Sequence, residues 1–275
     1  MSAYTDEFER ELANIICSFS GMNLPLNLPA WVENLGITTN SKIQDVARIG
    51  SAGHKTDIVI CFDNGKILKV SAKMSSADYF GNWYSHDRVI REFGDDIFQK
   101  LTIDCTNWAN SWINNSNASL FVGVSICFGK RSGNTSREFT EVFTVNDIIK
   151  IVAGTGTGIE TANCLYSSSD LPNSLEELFE ILKPIDSTTI TSLSENFKLI
   201  YRPINPLTEG TNRGKCTYTQ FIPNYPLRIQ TRIDNLDDLK SLGSFQKVSA
   251  NSLNHNRVLN ELRDNYNIFI PRKVK

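Results

Sequence analysis

Several things are scarce in this sequence, and each absence excludes something. It has no run of 18 apolar residues, so no membrane span is expected. The stretch Met1 to Phe8 is polar and acidic, which fits neither a secretory signal nor a transit peptide, and the expected location is the cytoplasm. Three histidines, His54, His86 and His255, are too few and too scattered for a histidine-based metal site. Six cysteines are present without a Cys-x-x-Cys pair, so neither zinc-ligand spacing nor a disulfide framework is expected; they read as small buried hydrophobes in a reducing compartment. The glycines of Gly154-Thr155-Gly156-Thr157-Gly158 lack the Gly-Lys-Ser/Thr of a phosphate-binding loop, so this stretch reads as a turn. No Ser-His-Asp set, nucleotide fingerprint, internal repeat or low-complexity segment can be picked out.

What is present is a chain of 275 residues, 40% hydrophobic, with ample material for a buried core in one large domain or two small ones. Its formal net charge of −2 argues at first against a polyanionic partner. The total hides an asymmetry. Residues 1–200 hold 16 basic and 24 acidic side chains, whereas residues 201–275 hold 12 and 6. The basic end points to a polyanion.

Hydrophobic spacing predicts a helix over residues 5–20, with Phe8, Leu12, Ile15, Ile16 and Phe19 on one stripe, and Gly21 ending it. A short helix is expected near 41–48. Further helices are expected within 83–93, at 146–152, at 174–183 behind a Ser174/Glu177 capping box, and at about 235–242 and 255–265. Strands are expected at 57–62, 66–73, 119–128, 138–145, 196–202, 215–222 and 227–233. Interspersed strands and helices make the class α/β or α+β, a mixed sheet flanked by helices. The expected organisation is a catalytic part at 1–150 and a recognition part at 151–275, basic from residue 201 onward.

The pair of strands around Asp63-Asn64-Gly65 carries the chemistry. A three-residue loop pairs residues whose numbers sum to 128 and places Ile58, Ile60, Phe62, Leu68 and Val70 on one continuous apolar face. A two-residue turn would mix polar and apolar groups on both faces. In the favoured register Asp57 lies opposite Ser71, with Lys73 two residues on along the same face. A carboxylate there can hold Mg²⁺, the backbone carbonyl of Ala72 can add an oxygen ligand, and Lys73 can orient or deprotonate a water.

Those residues support a family resemblance. Gly50-Ser51-Ala52-Gly53-His54-Lys55-Thr56-Asp57, then the hairpin, then Val70-Ser71-Ala72-Lys73, resembles the PD-(D/E)XK nuclease superfamily, and more narrowly its MspI-like monomeric type II restriction endonucleases. The resemblance covers about residues 50–94 and, more loosely, 205–250, where Gly210-Thr211-Asn212-Arg213-Gly214-Lys215-Cys216-Thr217-Tyr218-Thr219 looks like a recognition segment. It implies a restriction-endonuclease-like core, Asp57 as the metal-binding acid and Lys73 as the catalytic lysine. Ser71 stands where the family usually has an acid or amide, which puts a second metal in doubt. Glu11, on the border of the first helix's apolar stripe, is the candidate supplementary acid.

The resemblance implies a Mg²⁺-dependent, site-specific endonuclease acting on double-stranded DNA and leaving 5′-phosphate and 3′-hydroxyl ends. It also implies a monomer and a companion DNA methyltransferase that is encoded nearby rather than bound. Arg213 and Lys215 are candidates for guanine edges, Asn212 or Gln220 for adenine, and Thr217 belongs to the same segment. Arg228, Gln230 and Arg232 would share one strand face by their period of two. The alternatives are a structure-specific repair or recombination nuclease of the same superfamily and a DNA-binding module that no longer cuts. Trp83 and Tyr84 read as core aromatics, with packing on DNA as the alternative.

Overall fold

The computed structural model describes residues 3–50, 54–74, 79–81, 84–129, 135–194, 198–209, 216–251 and 253–273. Elements are numbered along the chain. Two units emerge, both discontinuous: residues 1–80 with 145–196, and residues 81–144 with 197–275. The division expected at residue 150 gives way to three chain crossings, because the second unit begins as an insertion after the hairpin at residues 58–73.

The first unit opens with α1 (Ala3–Ser18), whose Phe8, Leu12, Ala13, Ile16 and the following Phe19 are buried. After α2 (Ala30–Asn34) come β1 (Ile43–Arg48), β2 (Ile58–Phe62) and β3 (Ile67–Lys73), an antiparallel series. The β2–β3 pairs are Ile58–Val70, Val59–Lys69, Ile60–Leu68 and Cys61–Ile67, the register the apolar pattern demanded. Gly65 has φ +77°, the left-handed position that closes the three-residue loop.

After the inserted stretch, α6 (Val145–Ala153) leads to β7 (Cys164–Ser167), which pairs parallel with β3. Then α7 (Leu175–Ile181), β8 (Leu182–Pro184) and α8 (Ser187–Ser194) complete the unit. The result is a mixed five-stranded sheet ordered β1-β2-β3-β7-β8, with a largely aliphatic core of α1 side chains on Ile58, Ile60, Leu68 and Val70. Ser174 caps α7 through the Glu177 N–H, but the Glu177 carboxylate accepts from the Asn173 backbone, one residue earlier than a capping box requires.

The second unit contains α3 (His86–Phe93), α4 (Asp95–Trp112), β5 (Val124–Gly129), β6 (Ser136–Arg137), α5 (Phe139–Val142) and β9 (Lys198–Pro203). Its sheet runs β4-β5-β9-β6, with β4 (Tyr79–Gly81) at the edge where the chain enters the unit. Then follow β10 (Thr219–Pro223), β11 (Thr231–Arg232), α9 (Leu236–Lys240), β12 (Gly243–Lys247), α10 (His255–Tyr266) and β13 (Ile268–Phe269). Strand β10 pairs with β12 and β11 with β13. The buried aromatics concentrate here: Tyr84 lies edge-on to Phe128 at 4.9 Å, and Phe121 stacks on Phe245 at 4.6 Å.

Four local expectations change. Residues 43–48 form β1, not a helix, because β2 offers a hydrogen-bonding partner that local propensity cannot register. Residues 139–142 form α5 instead of a strand, and Glu138 donates its N–H to Glu141 Oε1 at 3.1 Å at the helix start. Of the strand expected over 227–233, only Thr231–Arg232 is regular. Helix α4, 18 residues long, carries a buried stripe of Phe98, Leu101, Thr102, Cys105 and Ala109, too weakly apolar to announce itself.

Candidate functional site

The open end of the β2–β3 hairpin is built by backbone first. The Asp57 N–H donates to the Val70 carbonyl at 2.8 Å, which fixes the residue opposite Ser71. The preceding residues are held by the 154–160 turn, since the Lys55 and Thr56 N–H groups both donate to the Glu160 carbonyl. Lys69 Nζ donates to the Gly158 carbonyl at 2.8 Å and pins the same turn from the hairpin side.

Asp57 is 6% exposed. Its Oδ2 accepts from the Ala72 N–H at 2.8 Å and from Lys73 Nζ at 3.2 Å, with Ser71 Oγ at 3.5 Å. Lys73 Nζ also donates to the Ala72 carbonyl at 3.0 Å. Asp57, Ser71 and Lys73 are thus gathered as the register required. The Ala72 carbonyl, expected as a metal ligand, already accepts a bond from Lys73. Ser71 is fully buried and contributes a hydroxyl, not an acid.

Of the two acids, α1 brings Glu9 and not Glu11 to the side of Asp57. Glu11 is solvent-exposed, whereas Glu9 is 2% exposed. The buried face of α1 is rotated towards Ala13 and away from Ile15, which brings Glu9 onto the Leu12-Ala13-Ile16 stripe by spacings of three, four and seven. That spacing is the signal in the sequence that identifies it. Glu9 Oε2 accepts from Arg48 Nη2 at 3.0 Å and Nε at 3.2 Å, and Arg48 also pairs with Asp6. Burial and then the charge of Asp57 raise the Glu9 pKa above its ordinary value, and Arg48 opposes them. Two carboxylates whose charges interact, both with little surface exposed, suit a hard dication that retains some of its water. Among the described residues, no group of three or more His, Cys, Asp or Glu side chains forms a metal cage, so the fit is to a pair of acids only.

The residues expected to read DNA are not gathered in this way. Asn212, Arg213 and Lys215 lie outside the described residues, as does Trp83. Thr217 is fully buried, and its carbonyl accepts from His86 Nε2 at 2.8 Å, so it presents nothing to a groove. Gln220 sits between Gln246 of β12 and Gly123, with its amide oxygen buried and unpartnered. Arg228, Gln230 and Arg232 are exposed, but their stretch is too irregular for a shared strand face, and Arg232 is paired with Asp234 at 2.8 Å. Tyr84 is core.

All six cysteines are free, and Cys17 is exposed, contrary to the expectation of burial. Among the described residues, no helix is long and apolar enough to cross a membrane. No protein-family model matches the chain, and no curated protein or solved structure matches it.

Proposed function

We propose that the chain is a Mg²⁺-dependent, site-specific endonuclease of double-stranded DNA, of the type II restriction kind, producing 5′-phosphate and 3′-hydroxyl ends. The observation that carries this reading is the convergence of Glu9, Asp57 and Lys73 at one end of a hairpin whose apolar face is core. The mixed sheet with helices beside it supports a restriction-endonuclease-like core.

In this reading the Ala72 N–H and Lys73 hold Asp57 in one orientation, so its other oxygen is presented without rotation. Lys73 keeps a donor beside Asp57, where it orients a water or balances charge on a phosphate. Arg48 holds Glu9 in place. A bound Mg²⁺ would supply Lewis-acid polarisation of the phosphate and acidify a bound water. Phosphate neutralisation falls to the second unit, whose 19 basic side chains exceed its 13 acidic ones.

Ser71 in place of an acid favours one other reading, a DNA-binding module that does not cut. Plasmid incubated with the protein and Mg²⁺, with and without EDTA, separates the readings. Discrete fragments that EDTA abolishes support restriction. A smear or junction-only cutting supports a repair nuclease, and binding without cutting supports the inert module.

A further inference from the structure

Helix α10 and strand β13 of the second unit border a pocket of about 290 Å³ that no sequence motif marks. Leu259, Phe269 and Ile270 make its apolar wall, and Arg263 and Arg272 bring two guanidinium groups to it. Leu259 and Arg263 stand four residues apart on α10 and so share a face. On β13, Ile268 is turned into the core, whereas Phe269 is turned out and is 39% exposed. Arg232 is the partner of Phe269 across the parallel β11–β13 ladder and stands on the same side of it.

The two guanidinium groups are held differently. Arg263 is bidentate to Asp264, and both side chains are exposed. Arg272 is held by neutral groups: Nη1 donates to Asn256 Oδ1 at 3.2 Å, and Nη2 donates to the Asn256 carbonyl at 3.5 Å and to Asn260 Oδ1. Among the described residues these bonds leave Nε and one Nη1 hydrogen of Arg272 unused. Burial, and then the charge of Arg263, lower the Arg272 pKa below its ordinary value. The acid that opposes them is Asp264, and both its oxygens are already engaged by Arg263. Arg272 is thus fixed in place by amides with its charge largely uncompensated, beside a second cation. An oxyanion between the two would relieve their repulsion and take up the free donors.

We propose that this pocket binds a nucleotide unit, with its phosphate on Arg263 and Arg272 and its base against Phe269. Paired guanidinium forks match phosphate oxygens, and the exposed ring beside them offers a stacking face. The volume lies at the small end of pockets that hold small molecules. Stacking on Phe269 requires a base outside a duplex stack, so the ligand is an unpaired nucleotide, either free or within a single strand, with the same chemistry in both cases. The assignment uses no residue of the Glu9–Asp57 site, so it stands or falls apart from the nuclease reading.

The test uses the purified full chain in EDTA, so that nothing is cut. Thymidine monophosphate and inorganic phosphate are titrated by calorimetry, and a fluorescein-labelled oligothymidylate of about ten nucleotides by anisotropy. The expected result is that a nucleotide probe binds more tightly than inorganic phosphate. Phe269→Ala should weaken that binding at least about fivefold, and Arg272→Gln at least about tenfold. For the oligonucleotide, Arg272→Gln should also lower the slope of log affinity against log salt by about 0.7, the share of one phosphate. Arg257→Gln, exposed on the same helix but outside the pocket wall, should leave the affinity unchanged. Binding of the mononucleotide as well as the strand identifies a free nucleotide as the ligand, and binding of the strand alone identifies a single strand; either supports the pocket. Should Arg272→Gln not fold because its anchors on α10 are lost, Arg263→Gln takes its place with the same expected loss. Mg²⁺-dependent cutting of duplex DNA, measured alongside, reports on the nuclease reading alone. The assignment is overturned if inorganic phosphate binds as tightly as the nucleotide with no effect of Phe269→Ala, if Arg257→Gln loses as much as the arginine variants of the pocket, if those variants keep wild-type affinity, or if neither nucleotide probe binds.

Discussion

The first unit carries 9 basic and 17 acidic side chains, a net −8, and the second carries 19 and 13, a net +6. They also bury different things. The first has a largely aliphatic core and, beside it, the buried acids Glu9 and Asp57. The second packs ring against ring and buries two histidines, His86 and His255, whose pKa values burial pushes down, that of His255 to about 4. Buried neutral imidazoles cost little at neutral pH and add to packing. Buried like charges cost stability and are hard to explain by folding alone. The difference is what the proposed function turns on: it assigns chemistry to the unit that buries like charges and architecture to the one that buries rings.

The largest test of that contrast is in the acidic unit. Asp57→Asn and Lys73→Ala should each lower cleavage at least about a hundredfold. DNA binding in a mobility-shift assay should stay near wild type. If either variant cuts at the wild-type rate, the assignment of chemistry to the first unit breaks.

Acid should act on the basic unit next. The folded-state pKa of His255 lies below its unfolded value of 6.5, so the unfolded chain binds more protons and stability falls as the pH drops from about 6.5 towards 4. A shift of this size costs about 3 kcal/mol by the lower end of that window. Urea unfolding at stepped pH measures it, and His255→Gln should flatten the slope. An unaltered slope would remove His255 from the account.

Glu9 titrates in the opposite sense. Its folded pKa is raised, so the folded state binds the extra proton, and this group favours folding more as the pH falls through its folded pKa towards 4.5. Glu9→Gln should therefore raise the urea midpoint at neutral pH modestly while weakening Mn²⁺ binding. Glu11→Gln should change neither. A pair of variants that behave alike would undo the choice of Glu9 over Glu11. The smallest effect belongs to the hairpin loop. Gly65 has φ +77° and no atom near its missing Cβ, so Gly65→Ala should cost only the backbone penalty, about 1 kcal/mol in urea unfolding.

The hairpin was fully legible in the sequence, because the three-residue loop segregated Ile58, Ile60, Leu68 and Val70 from polar neighbours and the two-residue turn did not. The site was half legible for the same reason. Asp57, Ser71 and Lys73 are set by local pairing, and a period of two reveals them. Glu9 depends on which way α1 rolls against the sheet. A choice between Ala13 and Ile15 as the edge of its stripe decides that roll, and the larger side chain misleads. Strand β1 was hidden because its extended form comes from pairing with β2 and not from its own composition, and α4 because Thr102, Cys105 and Ala109 occupy buried positions that a hydrophobicity count reads as neutral. The nucleic-acid residues were proposed from type and spacing alone. Thr217 shows how little that constrains them, since a hydroxyl in a basic segment is here a core residue bonded through its backbone.

The parallel pairing of β3 with β7 has a consequence for synthesis. Val70 meets Cys164 only after the whole insertion has left the ribosome, so the hairpin that holds Asp57 and Lys73 emerges early with one edge unpaired. Until residue 164 follows, that edge, Val70-Ser71-Ala72, is a template for wrong partners. The intervening stretch must then begin to collapse around its aromatics while the sheet before it waits for its central neighbour. A nascent chain stalled anywhere between β3 and β7 would be the species most prone to aggregate, and slow, long-range strand closure would set the pace of folding.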